Sequence, residues 1–365
     1  MPEVWLPYGT VEVPINVKVE NVAKIYTPNI KPLDENVLMS RIKEIEFRGK
    51  SLILLSETDE ASAIILKSIL NAAKVSSTVT SITVGCERSI YSWLKKACEG
   101  LNVDVKHISA SDLVEYDTKI FISRVGLDPL FGFSGGAVTL LKTLNPTFMA
   151  EAFKYMRDSE PKPGKETDAS LYAYSEAPNI LGVEYIYLGN ILVDVAAGEL
   201  INAHKQISQN LLEICEINLR SPPEAIIASP GLGKSAATLA SALNSLWNVA
   251  RDVEGCVMVF FAECIEGLGS EALRLAATRD VESYLTRGDY VDGLEDIIYL
   301  RWLSKRTKVG LISTLPRYYV NKIGFDYIRS ASDALPYIFR HKGSRVKIHI
   351  FPDAESALLT LTKEE

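Results

Sequence analysis

The stretch from Lys50 to Val84, KSLILLSETDEASAIILKSILNAAKVSSTVTSITV, decides the fold class. It begins with a short apolar run, Lys50–Leu55, which predicts a buried strand. Apolar residues then recur at helical spacing from Glu60 to Lys74, and a second short apolar run follows at Ser81–Val84. Because strands that alternate with helices pair in parallel, this order predicts a parallel sheet covered by helices.

The same alternation continues on both sides of a proline pair, Pro222-Pro223, which blocks helix and ladder pairing and indicates a domain boundary. Before this pair we predict a helix at 90–99 and strands at 103–107 and 119–123. After it we predict strands at 225–228, 256–262, 309–313 and 347–351, with helices at 235–250, 270–285, 293–306 and 331–340. We therefore expect two α/β domains, residues 1–220 and 221–365, whose mostly parallel sheets are flanked by helices, with a ligand cleft between the domains.

Two segments of the first domain depart from that alternation. The stretch 158–170, DSEPKPGKETDAS, is charged and contains prolines, which predicts an exposed loop. Val183–Val195 contains two β-rich runs separated by Gly189-Asn190, which predicts a hairpin with a two-residue turn.

The composition is that of an ordinary globular protein whose partner is a small molecule or another protein. Of 365 residues, 47% are hydrophobic and 23% are charged, and the net charge of −7 gives no electrostatic reason to bind nucleic acid or an anionic membrane. No apolar run approaches the roughly 20 residues of a membrane helix, and the N-terminus lacks a secretory pattern. Five cysteines without a CxxC pair indicate free thiols in a reducing compartment. We therefore expect a cytoplasmic protein without nucleic-acid or membrane partners, and a homo-oligomer is compatible with these data.

Residues 228–235, ASPGLGKS, nearly satisfy the phosphate-loop pattern GxxxxGK[ST] between a strand and a helix, with alanine in place of the first glycine. In such a loop, backbone amides and the lysine hold phosphate groups. The candidate anion-binding residues here are Gly231, Gly233, Lys234 and Ser235. The alternative is a structural turn, since a strand-to-helix junction needs glycines and a serine cap in any case.

The motif FGFSGG at 131–136 precedes an apolar helical run. Paired glycines at a helix start let backbone N–H groups approach a ligand, and the helix dipole favours an anion. Ser134, Gly135 and Gly136 are therefore candidate ligand-binding residues, although a purely structural loop explains the glycines equally well.

The motif AECIEGLG at 262–269 ends the most apolar predicted strand of the second domain. Ligands of open α/β sheets lie beyond the carboxyl ends of the strands, so Glu263 and Glu266 are candidates that would face a crevice. The alternative is that both side chains line an ordinary turn. The four histidines lie too far apart in sequence for a metal-ligand spacing, so no metal site is predicted.

Several motifs together resemble the nickel-pincer lactate racemase family. In chain order they are LPYG at 6–9, GFSGG at 132–136, GExxxAHK at 198–205, SPG at 229–231, AECxEGLG at 262–269 and STLP at 313–316. The resemblance implies two α/β domains with the active site between them. It also implies a nickel-bearing, nicotinic-acid-derived pincer cofactor, tethered to a lysine, which takes a hydride from the 2-carbon of a hydroxy acid.

The family's functional residues are not kept at the matching positions of this chain. The tethering lysine after GFSGG falls at Val138, and the arginine of the family's S-D-x-T-R segment falls at Glu60. In place of the family's G-T-H-R this chain has GCER, in which the arginine is kept as Arg88 and the histidine becomes Glu87, and a further family histidine falls at Asp128. Arg88 and Asp128 therefore remain as candidate ligand-binding residues, whereas the catalytic residues stay unknown.

These departures predict a lactate-racemase-like protein that retains its interdomain cleft, lacks nickel-pincer chemistry and binds no cofactor. We expect the cleft to take a small anionic ligand, because two glycine-rich helix starts point toward it; acidic residues nearby leave a cationic or zwitterionic ligand, or a metal ion bridging the acids, as alternatives. Two other functions stay open. One is an active racemase or epimerase of 2-hydroxy acids with an altered site, and the other is a phosphate-loop nucleotide enzyme centred on Gly233-Lys234-Ser235.

Overall fold

The computed structural model of the chain describes residues 3–76, 78–101, 103–156, 159–278, 281–287 and 289–362. Strands and helices are numbered here in chain order. The strands are β1 Glu3–Tyr8, β2 Val11–Asn16, β3 Val22–Ile25, β4 Gly49–Leu55, β5 Val79–Cys86, β6 Asp104–His107, β7 Thr118–Arg124, β8 Leu127–Asp128, β9 Gly132–Phe133, β10 Leu181–Leu188, β11 Ile191–Glu199, β12 Glu216–Leu219, β13 Ala225–Ala228, β14 Val257–Phe261, β15 Lys308–Ile312, β16 Asp326–Tyr327, β17 Ile348–Phe351 and β18 Leu358–Leu361. The helices are α1 Glu35–Lys43, α2 Glu60–Val75, α3 Tyr91–Ala97, α4 Gly136–Leu144, α5 Phe148–Phe153, α6 Asp168–Glu176, α7 Leu200–Cys215, α8 Leu239–Ala250, α9 Glu271–Thr278, α10 Glu282–Arg287, α11 Leu294–Ser304, α12 Arg317–Lys322 and α13 Ala334–Lys342.

The first large sheet has the strand order β11-β10-β7-β4-β5-β6, and its strands are parallel except for the β10–β11 hairpin. Alternate residues of β4 point to opposite faces, so Ile53 packs with the apolar face of α2 while Leu52 packs with α4 and α6. The predicted hairpin is confirmed, and Gly189 and Asn190 both have positive φ, as a two-residue turn of this kind requires.

The second large sheet has the order β16-β15-β14-β13-β17-β3 and is entirely parallel. Its central strands β13 and β14 are buried along their whole length, as expected for a sheet covered on both faces. One face packs on α8, α9 and α11, and the other packs on α13 and the β1–β2 hairpin. The predicted α/β class with mostly parallel sheets flanked by helices is therefore confirmed.

The N-terminal strands belong to the second sheet, although they precede the first one in sequence. Strand β3 pairs in parallel with β17, and Leu6 and Ile15 of the β1–β2 hairpin pack in the same core as Ile350. The expectation that these strands join the first domain is wrong, because their apolar side chains complete the face and the edge of the second sheet. The domain boundary near residue 220 stays a prediction.

Three other segments differ from expectation. The predicted helix 235–250 begins at Leu239, after a short 3-10 turn at Gly233–Ala236. The predicted helix 270–285 is divided into α9 and α10. The stretch 158–170, of which residue 158 lies outside the described residues, is not an exposed loop throughout: Pro163 is buried, its carbonyl accepts a hydrogen bond from Arg251, and α6 begins at Asp168. No helix among the described residues is both long enough and apolar enough to cross a membrane.

Candidate functional site

A cleft of about 450 Å³ lies where the two sheets face each other with the carboxyl ends of their strands. The first sheet contributes residues after β4, at the end of β7 and in the β10–β11 turn; the second contributes residues after β13 and β17. This is the position where open α/β sheets bind ligands. We call it the arginine cleft, after its one described cationic side chain. Its charged lining residues are Glu57, Asp59, Glu60, Arg124, Asp353 and Glu355.

Arg124 ends strand β7 and is the cationic centre of the arginine cleft. Its Nη2 donates to Oε1 of Glu355 at 2.5 Å, and its guanidinium lies 5.8 Å from the ring centroid of Tyr187. Burial alone would lower the pKa of Arg124, but the charges of Glu355 and Glu57 outweigh burial and raise it. The guanidinium is therefore held in its charged form among carboxylates.

The carboxylates of the arginine cleft differ in how firmly they are held. Asp59 caps α2 by accepting from the backbone N–H of Ser62, and its second oxygen accepts from the Tyr185 hydroxyl at 2.8 Å. Burial raises the pKa of Asp353, whose Oδ2 accepts from the Ser356 hydroxyl at 2.6 Å. With five carboxylates and one described cation along its wall, the cleft presents a net negative surface with a positive centre.

The GFSGG turn is closed to ligands, because its backbone donors already have partners. The N–H of Ser134 donates to the Gly126 carbonyl, that of Gly135 to the Thr139 hydroxyl, and that of Gly136 to the Ser123 hydroxyl. Glycine is needed at 136 for space: φ is +48°, and a Cβ there would lie 2.7 Å from the His204 ring. The interpretation of these glycines as packing residues is the one that the geometry supports.

A fully buried hydrogen-bond network of Ser123, Glu184 and His204 holds this turn against the sheet. The Ser123 hydroxyl donates to Oε1 of Glu184 at 2.7 Å, and Oε2 of Glu184 lies 2.6 Å from Nδ1 of His204. Glu184 and His204 are at most 1% exposed, and Nε2 of His204 has no hydrogen-bond partner among the described residues. His204 therefore orders the protein interior rather than facing the cleft.

The segment 228–235 lines the arginine cleft but does not have the geometry of a phosphate loop. Gly231, Gly233 and Ser235 all face the cleft. The N–H of Gly231 donates to the Ser229 hydroxyl and that of Gly233 to the Gly9 carbonyl, and the α-helix begins only at Leu239. The Lys234 side chain lies outside the described part of the chain. Since phosphate binding needs free amides at a helix start, the nucleotide prediction finds no support in this geometry.

A second cavity, of about 300 Å³, lies between α4 of the first sheet and the helices of the second, and we call it the carboxylate cavity. Lys142 Nζ lies 3.7 Å from Oδ2 of Asp128 at its wall. Burial raises the pKa of Glu295 to about 7, and burial together with Glu295 raises that of Asp296. Oε2 of Glu295 has no hydrogen-bond partner among the described residues. Burial therefore shifts two carboxyl groups of this cavity, Glu295 and Asp296, toward their protonated forms.

The remaining predicted residues lie apart from both cavities. Arg88 is exposed in a short turn after β5. Glu263 approaches Gly9 and contributes to raising the pKa of Tyr8, which burial chiefly lifts to about 12. Glu266 lines a separate surface cavity near Pro316. The described residues among those predicted thus fall into separate places: three in the arginine cleft, Asp128 in the carboxylate cavity, Ser134, Gly135 and Gly136 in the closed GFSGG turn, and Arg88, Glu263 and Glu266 elsewhere.

Sequence reasoning missed Arg124, Asp353 and Glu355, which carry the charge of the arginine cleft. A signal was present, because Arg124 directly follows the predicted strand 119–123 and Asp353 follows the predicted strand 347–351 at its carboxyl end. None of the three residues lies in a motif. Arg124 and Glu355 are 231 positions apart, so no local pattern indicates that they form an ion pair.

Comparisons with known proteins identify solved structures of similar architecture. The lactate racemase apoprotein of Thermoanaerobacterium thermosaccharolyticum matches with a TM-score of 0.79 and 16% identity, over 98% of this chain and 100% of that one. A Thermotoga maritima protein of known crystal structure matches with a TM-score of 0.64 and 10% identity, over 92% of this chain and 100% of that one. No protein-family model and no curated protein matches the sequence. The chain therefore has the lactate racemase fold.

The residues present do not fit a nickel-pincer group. Val138, at the position where the resemblance puts the tethering lysine, is 1% exposed and packs in the core of the first sheet. The nearest lysine along α4, Lys142, is paired with Asp128 and lies 4.8 Å from the Phe131 ring centroid. Among the described residues, no three metal-ligating side chains come close enough together to hold a metal ion.

Proposed function

We propose that this protein uses the lactate racemase fold to bind a small zwitterion in the arginine cleft, without nickel-pincer chemistry. A zwitterion here means a molecule with one carboxylate and one ammonium group, as in an α-amino acid. The observation that carries the proposal is the charge pattern of the cleft: one guanidinium enclosed by carboxylates.

Each half of the ligand matches one part of that pattern. Arg124 provides a planar donor suited to a carboxylate, and Tyr187 supports it from one side. The carboxylates Glu60 and Asp353 lie near that position and attract an ammonium group. Among the described residues, a simple anion would meet five carboxylates and one cation, while the glycine-turn donors at Gly136 and Gly233 already have partners. The expected anionic ligand is therefore refined to one that also carries a positive charge.

The cleft has the size of a small-molecule site. Its volume of about 450 Å³ lies within the usual range for such pockets. Open α/β sheets bind ligands at this position, beyond the carboxyl ends of the strands, so the proposed site uses the architecture. No histidine or cysteine is among its described lining residues.

Ligand pairs that differ in one group test the proposal. The purified protein is titrated by calorimetry with α-amino acids and with the corresponding 2-hydroxy acids: alanine with lactate, phenylalanine with phenyllactate, aspartate with malate. At least one amino acid should bind ten times more tightly than its hydroxy acid, because only the former carries the ammonium group. R124Q should abolish this binding.

The matched control is K142M, which removes a cation from the carboxylate cavity and should leave the affinity unchanged. A hydroxy acid that binds as tightly as its amino acid, or binding that is indifferent to R124Q, contradicts the proposal. Metal analysis with intact-mass spectrometry tests the second half of it: nickel near one equivalent, with an adduct on a lysine, would show that pincer chemistry is retained.

A further inference from the structure

We propose that Glu355 is an internal ligand of Arg124, and that the carboxylate of a bound molecule must displace it. This inference rests on the proposed function for the identity of the natural ligand. It assigns to Glu355 a separate role, which is to set the affinity of the arginine cleft by competition.

The first observation is that the Arg124–Glu355 pair crosses the cleft. Arg124 ends β7 of the first sheet, whereas Glu355 follows β17 of the second sheet. The side chains are 27% and 35% exposed, and both line the cleft. The carboxylate of Glu355 therefore lies where the carboxylate of a bound zwitterion would lie.

The second observation is that the backbone around Glu355 is anchored while its carboxylate is held by one described partner. The N–H of Ala354 donates to the Ser229 carbonyl at 2.8 Å, and the Ala354 carbonyl accepts from Asn248 at 3.1 Å. Ser356 bonds back to Asp353 at 2.6 Å. Rotation of the Glu355 side chain alone therefore frees Arg124, without movement of the strand or the turn.

Replacing the Glu355 carboxylate at Arg124 by a ligand carboxylate costs little free energy, because a partly exposed ion pair is weak. Solvent screens its attraction, and two long side chains must be held in one geometry to keep it. A zwitterion replaces the carboxylate of Glu355 by its own and adds an ammonium group near Glu60 and Asp353. Removing the charge of Glu355 should therefore strengthen the binding of any carboxylate at Arg124.

The experiment uses acetate and alanine as probes of the full chain. E355Q keeps the size of the side chain and removes its charge, so it should bind acetate at least ten times more tightly than the native protein. The double variant R124Q/E355Q should lose that gain. The control E254Q neutralises the carboxylate that pairs with Arg306 outside the cleft and should change nothing.

The outcomes separate the two proposals. A gain in acetate affinity in E355Q supports the internal ligand even if no amino acid binds, in which case only the proposed function fails. Equal or weaker acetate binding in a folded E355Q overturns the internal-ligand proposal, and amino-acid binding then stands by itself. If E355Q fails to fold, E355D, whose shorter side chain draws the carboxylate back from Arg124, replaces it, with the same gain expected and the same result overturning the proposal.

Discussion

Replacing Glu184 by alanine should be among the most destabilising single changes around the first large sheet. The carboxylate is buried and holds two buried partners, the Ser123 hydroxyl at 2.7 Å and Nδ1 of His204 at 2.6 Å. Removing Glu184 leaves both of these groups buried without their partner, which costs about 1–3 kcal/mol for each. The loss is most severe at His204, whose Nε2 already has no partner among the described residues.

The assay is urea unfolding followed by circular dichroism, with the free energy of unfolding compared between variants. E184A should lose about 3 kcal/mol or more, whereas E184Q, which keeps an acceptor and a donor in place, should lose about 1 kcal/mol. A cycle with H204A should show a coupling of at least about 1 kcal/mol, since the two residues share one network.

The matched control is E199A. Glu199 also accepts two hydrogen bonds, from the N–H groups of Ile201 and Asn202, but it is an exposed helix cap, whose loss costs about 1 kcal/mol. If E184A costs no more free energy of unfolding than E199A, or if the effects of E184A and H204A simply add, the network of Ser123, Glu184 and His204 does not stabilise the protein as we describe.

Two further predictions concern the glycine turn and the carboxylate cavity. G136A should destabilise by about 2 kcal/mol more than G343A in urea unfolding, because both glycines have positive φ but only at 136 would a Cβ meet a ring, that of His204; equal losses would contradict the close approach. For Glu295, the folded pKa of about 7 lies above its ordinary value of 4.5, so the unfolded chain releases the proton first and stability falls as pH rises from about 5 to about 7. E295Q has no proton to release and should therefore gain on the native protein by about 2 kcal/mol between pH 5 and pH 8, whereas a constant difference across that range would show that burial does not shift this carboxyl.

The parts of the fold that sequence reasoning predicts are those encoded by local patterns. The alternation around Lys50–Val84 gives the parallel sheet, and Gly189-Asn190 gives the hairpin, because neighbouring residues determine both. The position of β3 is different. This strand has only four residues, and most of them are exposed. It pairs with β17 at the edge of the second sheet, more than 300 residues away, so no local sequence pattern indicates the pairing.

The site was harder to predict than the fold for a related reason. Glycines at Gly135-Gly136 have two physical explanations, ligand approach and close packing, and only the position of the His204 ring distinguishes them. Conversely, Arg124 and Glu355 are ordinary charged residues in sequence, and they become a site only where two sheets bring them together. The motifs therefore indicated the fold but did not include Arg124 and Glu355, the charged residues that define the cleft.

The measurement that most directly tests the account is a crystal structure of the protein soaked with the amino acid that it binds most tightly. We predict that the ligand occupies the arginine cleft, with its carboxylate on Arg124, its ammonium group near Glu60 and Asp353, and the Glu355 side chain turned away. A cleft without ligand in which Arg124 still pairs with Glu355, or a ligand bound only in the carboxylate cavity, would contradict it.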